Sequence, residues 1–176
     1  MRRIRRAFEF LASRAFALMV VVSLLIMAFY TALNTANIWV LIDNGLEARA
    51  AAVIQGGDAS RLQGYFAQEF IQKDPVLAAG LSQASPYRDY SIRSITHKTH
   101  FHSIWAWPWE SVARAEVTES IPSIEGSILP SLRESITLSG GKERLSPPAW
   151  ETRRYRVTLV RTSGQWRISG LQMMGN

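Results

Sequence analysis

A chain of 176 residues is long enough for one domain plus an anchor, because domains most often run to roughly 100–150 residues, so a single core is expected. It contains no cysteine, which excludes disulfides and thiolate metal sites but leaves either redox compartment open. The net charge of +6 is unevenly placed: residues 1–14 hold Arg2, Arg3, Arg5, Arg6 and Arg14 against Glu9, leaving only +2 beyond them. The basicity therefore reads as a membrane-orientation signal, and it argues against a nucleic-acid-binding surface.

From Ala15 to Leu33 there is no charged residue, and Phe16, Leu18, Met19, Val20 to Val22, Leu24 to Met27 and Phe29 make the stretch apolar all round. Nineteen residues at about 1.5 Å each cover roughly 28 Å, close to the hydrocarbon thickness of a bilayer. The expected layout is a basic cytoplasmic tail over 1–14, a transmembrane helix over 15–36, and an extracytoplasmic domain over 37–176, oriented by the positive-inside rule. A buried core helix is the plainer alternative, but it would not open with four arginines in six residues. A cleaved signal peptide is the other, opposed by the length of the apolar run and by the poor small-residue site at Asn34-Thr35-Ala36-Asn37. Tyr30 and Trp39 fall near the outer end of the span, where aromatic rings favour the headgroup layer or pack on a neighbour.

Beyond the span no proline occurs before Lys73 and only Gly45 weakens the stretch Asn37 to Gln55, so the helix is predicted to continue outward. Ile42, Leu46, Ala50 and Val53 form one apolar stripe that should pack on a sheet, and Gly56-Gly57 should end the helix. Ser60 with Gln63 gives a capping-box pattern, and Leu62, Tyr65, Phe66 and Phe70 then line a second short helix. Asp74-Pro75 opens a third that ends near Gly80. After Pro86 the period falls to two: strands are expected over Tyr87 to Trp105, Trp109 to Thr118 and, briefly, Ser135 to Ser139. Tyr155, Val157 and Leu159, then a Ser163-Gly164 turn, then Trp166 and Ile168 predict a hairpin with those five residues on its buried face. The stretch from Glu119 to Pro148, with four prolines and three glycines, reads as loop-rich. The fold class is α+β.

Three helices, a Gly57-Asp58 turn between the first two, Phe66, Phe70, and a closing Tyr155-x-Val157-x-Leu159-x-Arg161-x-x-Gly164-x-Trp166-x-Ile168 hairpin resemble the nuclear-transport-factor-2-like superfamily, also called cystatin-like or SnoaL-like, over roughly residues 40–175. The resemblance implies about three helices packed on a curved antiparallel sheet. With the anchor added, the architecture is similar to the VirB8 and TcpC type of conjugation and secretion scaffold protein, in which the outer domain serves assembly; this second step is an analogy of architecture.

His97, His100 and His102 lie within six residues, with His100 and His102 on one face of a strand and His97 on the other. No third ligand is evident beside Asp89 and Glu110, so no metal and no cofactor is expected. Enzymes of the superfamily use acid/base residues in a conical pocket, for which Asp89, Tyr90, His97 and Glu116 are the candidates here, although nothing pairs them by spacing. Phosphate loops, nucleophile elbows and His-Glu-x-x-His helices are absent from the sequence.

Trp105, Trp107 and Trp109 alternate around Pro108 and would point to one side of an extended chain, suiting a protein partner or the bilayer surface; the alternative places them in the sheet's own core. Arg154, Arg156 and Arg167 should share the outer face of the last hairpin, facing lipid heads, an acidic partner, Glu143 or Glu151, or solvent. Tyr65, Phe66, Phe70 and Trp166 are the candidate lining of a pocket between helices and sheet. The leading expectation is a membrane-anchored interaction module whose sheet or Trp-bearing loop docks on itself or on other envelope proteins. The second is a small-molecule or lipid-binding domain; a pocket enzyme of isomerase or dehydratase type comes third.

Overall fold

The structure, a computed structural model, describes residues 2–57, 59–133 and 145–175, with side chains of 2–9, 11, 12 and 59 left aside. Helix α1 spans Arg2–Gln55 as one uninterrupted element of 54 residues, roughly 80 Å at 1.5 Å per residue. Its two halves differ in what they face. Every residue from Ser13 to Tyr30 is exposed, then burial recurs at Asn34, Ile38, Ile42, Leu46, Arg49, Ala50 and Val53. That recurrence at three and four places a single stripe on one side of the helix. The exposed half, with a mean hydropathy of 2.5 over 18 residues, is long and apolar enough to cross a membrane. Gly56, at φ +68°, ends the helix in the left-handed conformation that glycine adopts without penalty.

The second predicted helix is replaced by two pieces, a 3-10 helix over Ala59–Gly64 and α2 over Gln68–Lys73. The break has a cause in the sheet. Ile168 donates its N–H to the Tyr65 carbonyl, and Ala67 donates to the Ile168 carbonyl, both at 2.8 Å, so Phe66 sits in a parallel bridge and cannot also be helical. Helix α3, Pro75–Gly80, begins as predicted: the Asp74 carboxylate accepts from Val76 N at 2.9 Å, and proline follows at the first helical position. Gly80 lies so close to α1 that a Cβ there would be 2.6 Å from Val53 Cγ1.

Four antiparallel strands follow in the order β1-β2-β3-β4: β1 Tyr90–Trp105, β2 Val112–Ile128, β3 Arg153–Thr162 and β4 Gln165–Met173. The chain is thus α+β, an apolar helix followed by a curved open sheet with short helices. The last hairpin closes on a two-residue turn with positive φ at both Ser163 and Gly164, the geometry that matches strand twist, and Tyr155, Val157, Leu159, Trp166 and Ile168 are all buried.

A further expectation is overturned. Strand β2 does not stop at Thr118 but runs ten residues further, through Pro122 and Gly126, paired to β1 as far as Ile128. Both presumed breakers sit at irregularities. Two residues of β2, Ile121 and Pro122, face His97 alone where the register steps from Thr96↔Ser123 to Lys98↔Ser120, and Gly126 lies beside the step at Ile92/Ser94. Bulges tolerate a missing N–H and a missing side chain; a Cβ on Gly126 would meet the Ser91 carbonyl oxygen at 2.8 Å. The predicted strand over Ser135 to Ser139, Asp58 of the Gly57-Asp58 turn, and Glu143 lie outside the described residues.

Candidate functional site

The most constructed part of the surface is the end of the domain nearest the apolar half of α1. Asn34, the first residue of the buried stripe, accepts through Oδ1 from Arg161 Nη2 at 2.6 Å and from Trp166 Nε1 at 2.8 Å. Arg161 also donates through Nη1 to the Pro108 carbonyl at 2.9 Å, and its guanidinium lies 4.4 Å from the Trp166 ring centroid, a cation–π distance. One planar fork thus holds the helix, the β1–β2 turn and the β3–β4 hairpin together, a use for which arginine is suited and lysine is not.

The turn held in this way carries the three tryptophans. Trp105 meets Trp107 edge-on at 5.7 Å and Trp107 stacks on Trp109 at 5.2 Å. Trp107 is half-buried, whereas Trp105 and Trp109 are 64% and 68% exposed. They do not fill the sheet's core. Higher on α1, Trp39 packs at 5.3 Å on Phe101 of β1.

A second constellation lies inside, between α1 and the sheet. Arg49 binds Asp74 in a bidentate pair, Nε to Oδ2 at 2.6 Å and Nη2 to Oδ1 at 3.1 Å, with both side chains 3% exposed. Burial works against the Arg49 charge, yet Asp74, with smaller help from Tyr155 and Glu119, outweighs it and raises the pKa above the ordinary arginine value. His97 Nε2 is 3.2 Å from Glu119 Oε1, with both side chains buried. Arg49 Nη1, Tyr155 OH and Glu119 Oε2 are buried without a partner. Arg49, Phe70, Asp74, Arg153 and Tyr155 border a cavity of about 340 Å³. Such a site has room for a small molecule among charged and apolar groups.

The predicted pocket lining is not gathered there. Of Tyr65, Phe66, Phe70 and Trp166, only Phe70 borders this cavity; Phe66 is core, stacked on Phe70 at 5.0 Å, Trp166 is tied to Asn34, and Tyr65 lies against Gly45. The acid/base candidates also diverge. Glu116 is on the outer face, Asp89 is exposed in the turn before β1, Tyr90 is half-buried beside a separate cavity with Val53 and Ile92, and His97 points inward to Glu119. His100 and His102 face outward with ring centroids 4.8 Å apart, His102 bonding Thr118 at 2.8 Å. Among the described residues no three potential ligands converge on a metal site.

On the outer face Arg154 and Arg156 both reach Glu116, at 3.1 and 3.4 Å, and Glu151 pairs with Arg153 rather than with either of them. Arg167 stands apart, folded back onto Gln165. Desolvation alone would raise the Glu116 pKa, but the hydrogen bonds and charges of the two arginines hold it below the usual carboxylate range. A depressed folded pKa gives stability that is present above the unfolded value and lost as pH falls through the folded one. The urea midpoint of wild type should therefore exceed that of Glu116→Gln at about pH 7, and the gap should narrow as pH falls below the ordinary glutamate value of about 4.3; a gap unchanged with pH would show that the carboxylate charge contributes nothing.

Sequence reasoning passed over Asn34, Arg49, Asp74 as an ion-pair partner, Glu119 and Arg161. The signal for the first two was present: each is a polar residue in register with the apolar stripe, four residues before Ile38 and three after Leu46. The partners, 127 residues away for Asn34 and Arg161, carry no such mark.

No family model matches this sequence, and no curated protein is significantly similar to it. What the fold and site define is a class: a small antiparallel α+β domain carried on a helix able to span a membrane.

Proposed function

We propose that this protein is a membrane-anchored interaction module of the cell envelope, with its arginine-rich start in the cytoplasm and its sheet domain outside, docking on other envelope proteins or on a second copy of itself. The observation that carries this reading is the continuity of α1, whose lipid-compatible half becomes the core-packing half without a break at Asn34. A continuous helix transmits orientation, so the sheet's outer face is presented at a set angle to the bilayer, which a docking module needs and a diffusible-substrate enzyme does not. The buried ionisable groups support it as well, because they bond to one another across the core and so read first as structural. The layout is similar to conjugation and secretion scaffolds, an analogy that suggests the kind of assembly.

The test is photocrosslinking in intact cells, with a photoreactive residue at His100 on the outer face and a control at exposed Arg61 on the helix side. A discrete adduct from His100 alone, of twice the chain's mass or containing another envelope protein, is the expected result; equal labelling from both sites would refute a specific face. A second reading, binding of a small polar molecule, is favoured by one feature: the unpartnered Arg49 Nη1 and Tyr155 OH at the cavity beside Phe70.

A further inference from the structure

We infer that the tip of the β1–β2 turn is a membrane-seating device: the exposed indoles of Trp105 and Trp109 sit in the headgroup layer beside the protein's own span and brace the domain against the bilayer. The inference rests on the anchored reading above and adds what occupies the aromatic patch. Three observations carry it.

The first is height along the helix axis. Lipid-facing exposure on α1 persists to Leu33, and the next residue, Asn34, is the one that Arg161 ties to the Pro108 carbonyl. A single guanidinium spans the gap, so the tryptophan turn lies level with the outer end of the apolar stretch. The second is chemistry. An indole joins a large apolar face to one N–H donor and concentrates where hydrocarbon gives way to headgroups. Tyr30, 60% exposed, stands on α1 one turn before Asn34 and adds a second amphipathic ring close to the same level. The third is continuity. A protein partner would need a separate surface there, whereas a bilayer containing α1 already reaches the turn. The stacking of Trp107 on Trp109, with Trp107 half-buried, stiffens the knob. Two charges lie near the tip, Glu110 and Arg114, the register partner of Trp105; both are exposed, as the polar headgroup layer allows.

The experiment uses the full chain reconstituted in vesicles of phosphatidylcholine and phosphatidylglycerol, with dibrominated phosphatidylcholine as the quencher, brominated either near the headgroup or near the chain end. Wild type should be quenched more by the shallow lipid than by the deep one, and Trp105→Phe/Trp109→Phe should lose most of the shallow quenching. Both residues are exposed, so the double variant keeps its fold, which far-UV circular dichroism checks. If lipid quenching is the same in wild type and variant while aqueous iodide quenches the two indoles, the tip is in water and the proposal fails. If neither quencher reaches them, a second copy covers the tip and the proposal also fails. A polarity-sensitive dye on Val21→Cys, a unique thiol in this cysteine-free chain, reports the span separately. An apolar signal there with an unquenched tip sinks the bracing alone, and an aqueous signal sinks the anchor with it.

Discussion

Replacing Asp74 by alanine should lower the unfolding free energy of the domain by about 3–5 kcal/mol, the usual cost of removing one partner of a buried ion pair, with up to about 1 kcal/mol more for the lost helix cap. The size follows from what remains. Arg49 keeps its charge in a site where its side chain is 3% exposed, one of its nitrogens already has no partner, and both of its bonds to Asp74 disappear together. Asp74 also starts α3 by accepting from Val76, and α3 crosses α1 at Gly80 and Val53, so the damage reaches the helix layer. Two further variants divide the effect. Asp74→Asn can still accept from Val76 but cannot neutralise Arg49, so it should keep the cap and lose the charge term. Arg49→Met/Asp74→Leu removes both ions and should be far less destabilised than Asp74→Ala, since apolar replacement of a buried pair is often neutral. Urea unfolding of the full chain in detergent micelles, followed by tryptophan fluorescence, measures all three. Equal midpoints for Asp74→Ala and wild type would mean that Arg49 finds water or another acceptor.

Phe66→Ala is expected to cost about 3–5 kcal/mol, the range for deleting a buried aromatic ring. Phe66 is 1% exposed and occupies the junction of three elements. Its ring stacks on Phe70 of α2 at an interplanar angle of 13° and lies against α1 where Gly45 leaves room: a Cβ at Gly45 would be 3.6 Å from Phe66 Cε2 and 3.0 Å from Ile168 Cδ1. The backbone bridge to Ile168 fixes the surrounding chain, so the cavity left by alanine cannot collapse freely, which places the loss toward the upper part of that range. The same urea experiment reads it as a lower midpoint at unchanged m-value. A loss below about 1 kcal/mol would mean that the helices close over the gap.

The places where the sequence misled share a physical cause. Pro122 and Gly126 read as loop residues because each weakens an isolated strand, and only the pairing with β1 shows that they coincide with register steps that accommodate them. The capping-box pattern at Ser60 and Gln63 pointed to a helix reaching Phe70, but hydrogen bonds to Ile168, about a hundred residues later in the chain, outcompeted helical ones at Tyr65 and Ala67. Local propensity cannot register such a competitor.

Properties that depend on neighbours in the chain were determined by the sequence alone: the apolar helix with its basic start, the stripe from Ile42 to Val53, the glycine that ends it, the Asp74-Pro75 cap and the closing hairpin. Each follows from periodicity or from a residue's own backbone preference. Tertiary structure alone decided which polar groups meet. Asn34 with Arg161 and Trp166, Arg49 with Asp74, His97 with Glu119, and the level of the tryptophan turn relative to the apolar half of α1 all depend on contacts between distant segments. A hydrogen bond is directional and short, so only the folded chain specifies its partner, whereas burial of apolar surface is non-directional and already legible in the pattern.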